Sequence, residues 1–307
     1  MAPIAIDPEP VAAAPAHPLK AAAAPKQDLS KLAANPLSRT YRGNKAGTIH
    51  MEGIPEFADP LEKREWVKVQ LAAAFQYWGK LGYGEGLSGH ITCRDPVWPD
   101  HYWMNPIGVH FSSVKVSNLC LVTPEGYVHD TIGAQLAINH AGFIIHSAIH
   151  KARPEVQAIG HCHSLHGKAW SVFGRPIDIL TQDACLYYDN LAVYKNFGGI
   201  VLAPEEGKNI AEALGPKSMA AILQNHGLLT LGSTIGECAY YFSNLDRLCK
   251  VQLMVEAAAA NGIKKVVIDD VDAAFTAATL QNPHNVFANW RPELELLIEE
   301  RGHFFLK

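Results

Sequence analysis

What the sequence lacks narrows the field before any motif is read. No apolar run reaches the roughly 18 residues that a membrane-spanning helix requires, so a membrane protein is not expected from these 307 residues. No run of five like charges occurs and the net charge is −4, which leaves no electrostatic footprint for nucleic acid. The six cysteines (Cys93, Cys120, Cys162, Cys185, Cys238 and Cys249) contain no CxxC pair. They read as buried free thiols of an intracellular, cytoplasmic protein rather than as a disulfide framework. Arginine is missing before Arg39, which argues against a mitochondrial presequence, and the prolines of "MAPIAIDPEPVAAAPAHPLKAAAAPKQ" interrupt any secretory h-region. Residues 1–50 are therefore expected to be an Ala/Pro-rich disordered tail, and residues 51–307 to form the folded domain.

What is present begins with a helix signature in "ADPLEKREWVKVQLAAAFQYWGKLGYGEG". Asp59 suits the cap, Pro60 the first turn and Glu62 the capping pattern, and Gly79 with Gly82 closes the helix. "HITCRDP", "HFSSV" and "LCLVT" read as short strands, and the pattern from Gly133 to Arg153 reads as a helix stopped by Pro154. "VQAIGHCHS" follows as a β-like run. A helix near Ile210 to Leu214, a strand "MAAILQNHGLLTLG" and a long helix from about Ile235 to Asn261 come next, with helix and irregular wrap at the end. Short strands mixed with helices, without a regular βαβ repeat, indicate an α/β sandwich whose sheet is not purely parallel.

"GHCHSLHGKAW" places His161, His163 and His166 within six positions. Side chains at i and i+2 of a strand share a face, so His161 and His163 can converge on one ion. A catalytic zinc takes three protein ligands and keeps a position open. The third candidate is His226 in "LQNHGLLTLG", followed by a glycine that permits close backbone approach. The spacing alone fits a pair of structural histidines equally well. His166 is off the alternating face and reads as a loop histidine or as a group that orients a ligand.

"HITCRDP", "LVTPEG", "HSAIHKARPEVQAIGHCHS", "TQDACLYYDNLAVY" and "LQNHGLLTLG", in this order and spacing, resemble the class II aldolase and adducin family from about residue 59 to the C-terminus. The resemblance implies a three-layer αβα sandwich with a central, mostly antiparallel sheet. It also implies a homotetramer with active sites between subunits, and a divalent metal held by His161, His163 and His226. Zn2+ is the first expectation, with Fe2+ and Mn2+ as alternatives.

The departures from that family bear on function. Its sugar-phosphate aldolases carry a catalytic Glu four residues before the helix histidine that is His146 here, and this chain has Gly142 there. Their phosphate-holding Ser and Asn positions read His140, Ala141 and His90. The resemblance therefore implies a small, unphosphorylated oxo, hydroxy or phenolic acid as substrate, cleaved by a metal-dependent lyase through retro-aldol reaction or decarboxylation. Decarboxylation suits Gly142, because loss of CO2 generates a carbanion without a base to remove a carbon-bound proton. His90 is expected to be cationic near neutral pH and to pair with the substrate. Tyr188, chosen over Tyr187 by strand alternation, and Asp183 fall where relatives contribute groups across the subunit interface. Two rival classes remain: a non-haem iron oxygenase on the same fold, and a non-catalytic adducin-like assembly module.

Overall fold

The computed structural model describes residues 35–199, 204–302 and 304–307. Helix α1 (Pro60–Lys80) starts as its sequence demands: the Asp59 carboxylate accepts from the Leu61 N–H at 2.8 Å, and Pro60 occupies the first turn. It ends where Gly82 takes a left-handed φ of 77°. Four strands follow: β1 (His90–Arg94), β2 (Tyr102–Met104), β3 (Cys120–Val122) and β4 (Val128–Gly133). Helix α2 (His140–Ala152), strand β5 (Ala158–Cys162) and helix α3 (Leu165–Ser171) come next. Strand β6 (Leu191–Tyr194), helix α4 (Pro204–Leu214), strands β7 (Ala220–Leu223) and β8 (Gly227–Gly232), and helices α5 (Ile235–Ala260), α6 (Asp270–Leu280) and α7 (Pro283–Arg301) complete the chain.

The strands form one eight-stranded sheet in the order β4-β3-β2-β1-β5-β8-β7-β6, and only the β6–β7 pair is parallel. Alternation along the strands divides the core in two. Ala158 and Cys162 of β5 and Leu228 of β8 join the larger cluster with α1, α3, α5 and α7. Ile159 of β5 and Leu229 and Leu231 of β8 face the other way and pack with Ile145 and Ile149 of α2 and Ile210 and Leu214 of α4. Helices thus cover both faces of a mostly antiparallel sheet, the expected three-layer sandwich.

Local chemistry overrides several sequence expectations. "HFSSV" is a 3-10 turn over Phe111–Ser113, because the His110 imidazole accepts from the Ser112 N–H at 3.1 Å and closes the backbone on itself. The helix expected from Gly133 starts at His140, where Asn139 caps the Gly142 N–H at 2.9 Å. "MAAILQNHGLLTLG" is a β7–β8 hairpin rather than one strand, turned by Asn225 at φ 58°. "TQDACLYY" is a 3-10 segment over Gln182–Tyr187 and not a strand. Residues 1–34 of the expected tail lie outside the described residues. Within 35–50, Leu37 is buried, the Asn285 amide donates to the Pro36 carbonyl at 3.1 Å, and Arg39 donates to that of Ala278 at 3.2 Å.

Candidate metal centre

Two chain reversals bring three histidines to one end of the sheet. β5 and β8 pair antiparallel with Cys162 opposite Leu228, so the β7–β8 turn that carries His226 lies beside the end of β5. His161 is the penultimate residue of β5 and His163 follows its last. The ring centroids stand 5.2 Å (His161–His163), 4.6 Å (His161–His226) and 4.9 Å (His163–His226) apart. One ring nitrogen from each falls within 4.8 Å of the others, and among the described residues no other group of three His, Cys, Asp or Glu side chains comes so close. His161 Nδ1 donates to the Leu228 carbonyl at 2.8 Å, which leaves Nε2 as a lone pair and fixes the ring, the usual arrangement behind a metal-bound imidazole. A Cβ on Gly227 would come within 3.1 Å of the Cys162 carbonyl, so the glycine after His226 lets the two backbones approach. Burial and the neighbouring imidazoles hold His161 well below the usual histidine range and His226 down to about 4, and burial lowers His163 as well. The three rings are therefore neutral donors, the form a divalent ion needs.

His90 stands opposite His161 in the β1–β5 register, on the same sheet face, with the rings 5.4 Å apart. It is not the cation expected: burial first, then the surrounding imidazoles, push it well below the usual range, so it is neutral. Its ring fills the place of the missing side chain on α2. A Cβ built on Gly142 would meet His90 Cε1 at 2.3 Å and Nε2 at 2.4 Å. Both ring nitrogens of His90 are buried and have no hydrogen-bond partner among the described residues. Behind it lie His146, 4.3 Å away between centroids, and a hydrogen-bonded Thr92 and His150. Burial also lowers His146 well below its usual range and takes His150 to about 3. Sequence reasoning did not single out Thr92 or His150. The signal was there: Gly142, His146 and His150 are four apart on one helical stripe, and Thr92 is two from His90 on one strand face.

A cavity of about 650 Å³ opens over the three histidines and His90. Ala141, Ile145, Leu165, Val172 and Phe197 supply apolar walls, with polar groups from Ser88, Asn139 and Asn225. Among the described residues its lining contains no Asp, Glu or Arg, and the one Lys there, Lys168, is held at 2.7 Å by both Glu85 oxygens. Tyr188 and Asp183 do not line the cavity of their own chain. Tyr188 is half-buried with its hydroxyl 3.3 Å from Asp270, Asp183 is exposed, and Tyr187 is the buried tyrosine, donating to the Tyr241 carbonyl at 2.6 Å. His166 pairs instead with Asp246 at 3.0 Å, tying α3 to α5.

Residues 69–253 match the family model for the class II aldolase and adducin N-terminal domain. Three relatives are each 40% identical to this chain. The meiotically up-regulated gene 14 protein of Schizosaccharomyces pombe aligns over 70% of this chain and 82% of its own. Decarboxylase NovR of Streptomyces niveus aligns over 70% and 79%. The 4-hydroxy-3-prenylphenylpyruvate oxygenase/4-hydroxy-3-prenylbenzoate synthase of Streptomyces roseochromogenus subsp. oscitans aligns over 70% and 77%. Among solved structures, the L-fuculose 1-phosphate aldolase from Glaciozyma antarctica PI12 superposes with a TM-score of 0.75 at 40% identity, covering 83% of this chain and 97% of its own.

Proposed function

The chain belongs to the class II aldolase and adducin family, and from that premise we propose that it is a metal-dependent carbon–carbon lyase that decarboxylates a small, unphosphorylated oxo, hydroxy or phenolic acid. The observation that carries this reading is the wall at Gly142, where α2 offers no carboxylate and the cavity lining contains none among the described residues. Retro-aldol cleavage needs a base for the substrate hydroxyl, and deprotonation beside a carbonyl needs one for carbon; at this wall that task would fall to the weakly basic, buried imidazole of His90. Decarboxylation needs neither: the electron pair of the breaking C–C bond stays on the substrate carbon, CO2 departs, and a proton is added afterwards. A divalent ion held by His161, His163 and His226 would supply Lewis-acid polarisation of the substrate oxygens.

The remaining walls favour the same substrate class. With the rim covered by a second copy, Ala141, Ile145, Leu165, Val172 and Phe197 would strip water from whatever enters, and a desolvated carboxylate is raised in energy relative to neutral CO2. They also accept an aromatic or alkyl body. Among the described residues of the lining, the one Lys or Arg a phosphate dianion would find is Lys168, already engaged by Glu85. The relative named Decarboxylase NovR supports this reading, whereas the one titled L-fuculose 1-phosphate aldolase does not. Tyr188 and Asp183 would act only in a neighbouring copy's cavity, within a homotetramer. Leu165 and Val172 of the cavity rim are 68% and 54% exposed, the kind of apolar surface a second copy covers.

A second reading is an iron-dependent oxygenase on the same three histidines, supported by the all-imidazole donor set and by the relative named as an oxygenase. One experiment separates the two. The metal content of protein purified without added metal is measured, and zinc- and iron-loaded samples are offered β-oxo acids, arylpyruvates and dihydroxybenzoates while CO2 release and O2 uptake are followed. CO2 without O2 uptake is the expected result. Turnover that requires iron and consumes O2 transfers the assignment to the second reading, and inertness towards the whole panel with both metals overturns both.

A further inference from the structure

A buried chain of hydrogen bonds runs from the cavity wall into the sheet–helix interface. His150 Nδ1 lies 3.3 Å from the Val156 carbonyl, His150 Nε2 lies 3.0 Å from Thr92 Oγ1, and Thr92 Oγ1 lies 2.8 Å from His146 Nδ1. All three side chains are buried. Burial keeps His146 and His150 neutral, so each has one N–H and one lone pair. The chain therefore has a direction. A carbonyl only accepts, so His150 Nδ1 carries the proton and His150 Nε2 is a lone pair. The Thr92 hydroxyl must donate its single proton to that lone pair, and its oxygen must then accept from His146 Nδ1–H.

This order leaves His146 with a bare Nε2, which is buried and has no hydrogen-bond partner among the described residues. The neighbouring group with unassigned polar atoms is His90, 4.3 Å away between ring centroids, with both nitrogens likewise buried and unpartnered. We propose that Thr92 and His150 are positioning residues that lock His146 as the Nδ1–H tautomer, so that the ring packed against His90 carries only a lone pair at Nε2 and has no proton to give it. His90 enters that wall only because residue 142 is glycine, since a Cβ there would lie 2.3 Å from the ring. Resting on the cavity being the active site, the inference leaves the single N–H and the single lone pair of His90 to the polar groups of a substrate, because no group among the described residues partners either.

The test is side-chain 15N NMR of 15N-histidine-labelled, zinc-loaded protein, in which long-range correlations distinguish the two neutral tautomers. His146 and His150 are expected as Nδ1–H forms. Thr92→Val removes the donor and acceptor together and should shift His146 towards the Nε2–H form, whereas Thr92→Ser should retain the wild-type pattern. Zinc stoichiometry unchanged from wild type shows that a variant is folded. Should Thr92→Val fail that control, His150→Leu, which removes the relay's anchor, replaces it with the same expectation. An Nε2–H tautomer at His146 in the wild type, or an Nδ1–H tautomer that survives loss of the relay, overturns the proposal. Failure of every acid to be decarboxylated leaves these spectra unchanged, so this inference and the assignment of function fail separately.

Discussion

Gly142 and His90 occupy one volume, and that coupling sets what substitutions the site tolerates. Alanine is ordinarily favoured over glycine inside a helix by about 1 kcal/mol. At position 142 the sign reverses, because the new Cβ meets a buried ring. Gly142→Ala is expected to destabilise by about 1–3 kcal/mol, the usual cost of overpacking. In a His90→Ala background the same change should be neutral or stabilising, a coupling that a double-mutant cycle in urea reads directly. His161, His163 and His226 were singled out as candidate metal ligands from their spacing and family context, and the structure brings the three rings together. His226→Ala should weaken zinc binding by roughly 100-fold or more, beyond the 10–100-fold typical of losing an outer partner of a ligand, with circular dichroism unchanged. The charge of His90 was not legible, because a histidine's charge depends on burial by α2 and by the other rings, and no local pattern encodes that.

At the scale of elements, the Asp59 cap foretold where α1 begins, and its carboxylate accepts from the Leu61 N–H. Thr234 and Asn282 accept in the same way from the backbone of the helices they precede, caps that were not read from the sequence. Patterns failed where a short polar residue redirected an apolar run, as Asn225 does between β7 and β8 and His110 does before Phe111. The start of α5 contains a further charge effect. Glu237 accepts from Ser233 and from Thr234, the latter at 3.1 Å, while Thr234 Oγ1 caps the Glu237 N–H at 3.2 Å. Burial outweighs these bonds and raises the carboxyl from 4.5 to about 7. A raised carboxyl favours the fold while it is protonated, so its contribution is complete below pH 4.5 and is lost as pH rises to about 7. The free-energy advantage of Glu237→Gln over wild type should therefore grow across that window and level off above it, by up to roughly 3 kcal/mol. Chemical denaturation at several pH values measures it.

For the whole molecule the buried histidines dominate the acid side. His90, His146, His150 and His161 all lie below the ordinary value of 6.5 through burial. A depressed histidine stabilises the fold above its unfolded value, and that stability is lost as pH falls. His150 alone, at about 3, accounts for roughly 3 kcal/mol between pH 6.5 and 4. Zinc-free protein should thus lose thermal stability from pH 6.5 downward, opposite in sign to Glu237 and larger. The α/β sandwich was legible from the mixture of short strands and helices, and the three layers and mostly antiparallel sheet were implied by the family resemblance; the strand order depends on long-range pairing that no local pattern encodes. Tetramer formation, which would bring Tyr188 and Asp183 to a neighbouring cavity, is read by sedimentation, where a species of four chain masses is expected. The central claim is that the three-histidine centre works on a carboxylate and not on a phosphorylated sugar. Its most direct test compares, on one zinc-loaded preparation under anaerobic conditions, kcat/KM for CO2 release from a β-oxo or aryl oxo acid with kcat/KM for cleavage of L-fuculose 1-phosphate. The account predicts zinc-dependent CO2 release, abolished by His226→Ala, and no measurable sugar-phosphate cleavage; cleavage of L-fuculose 1-phosphate in preference to every acid would contradict it.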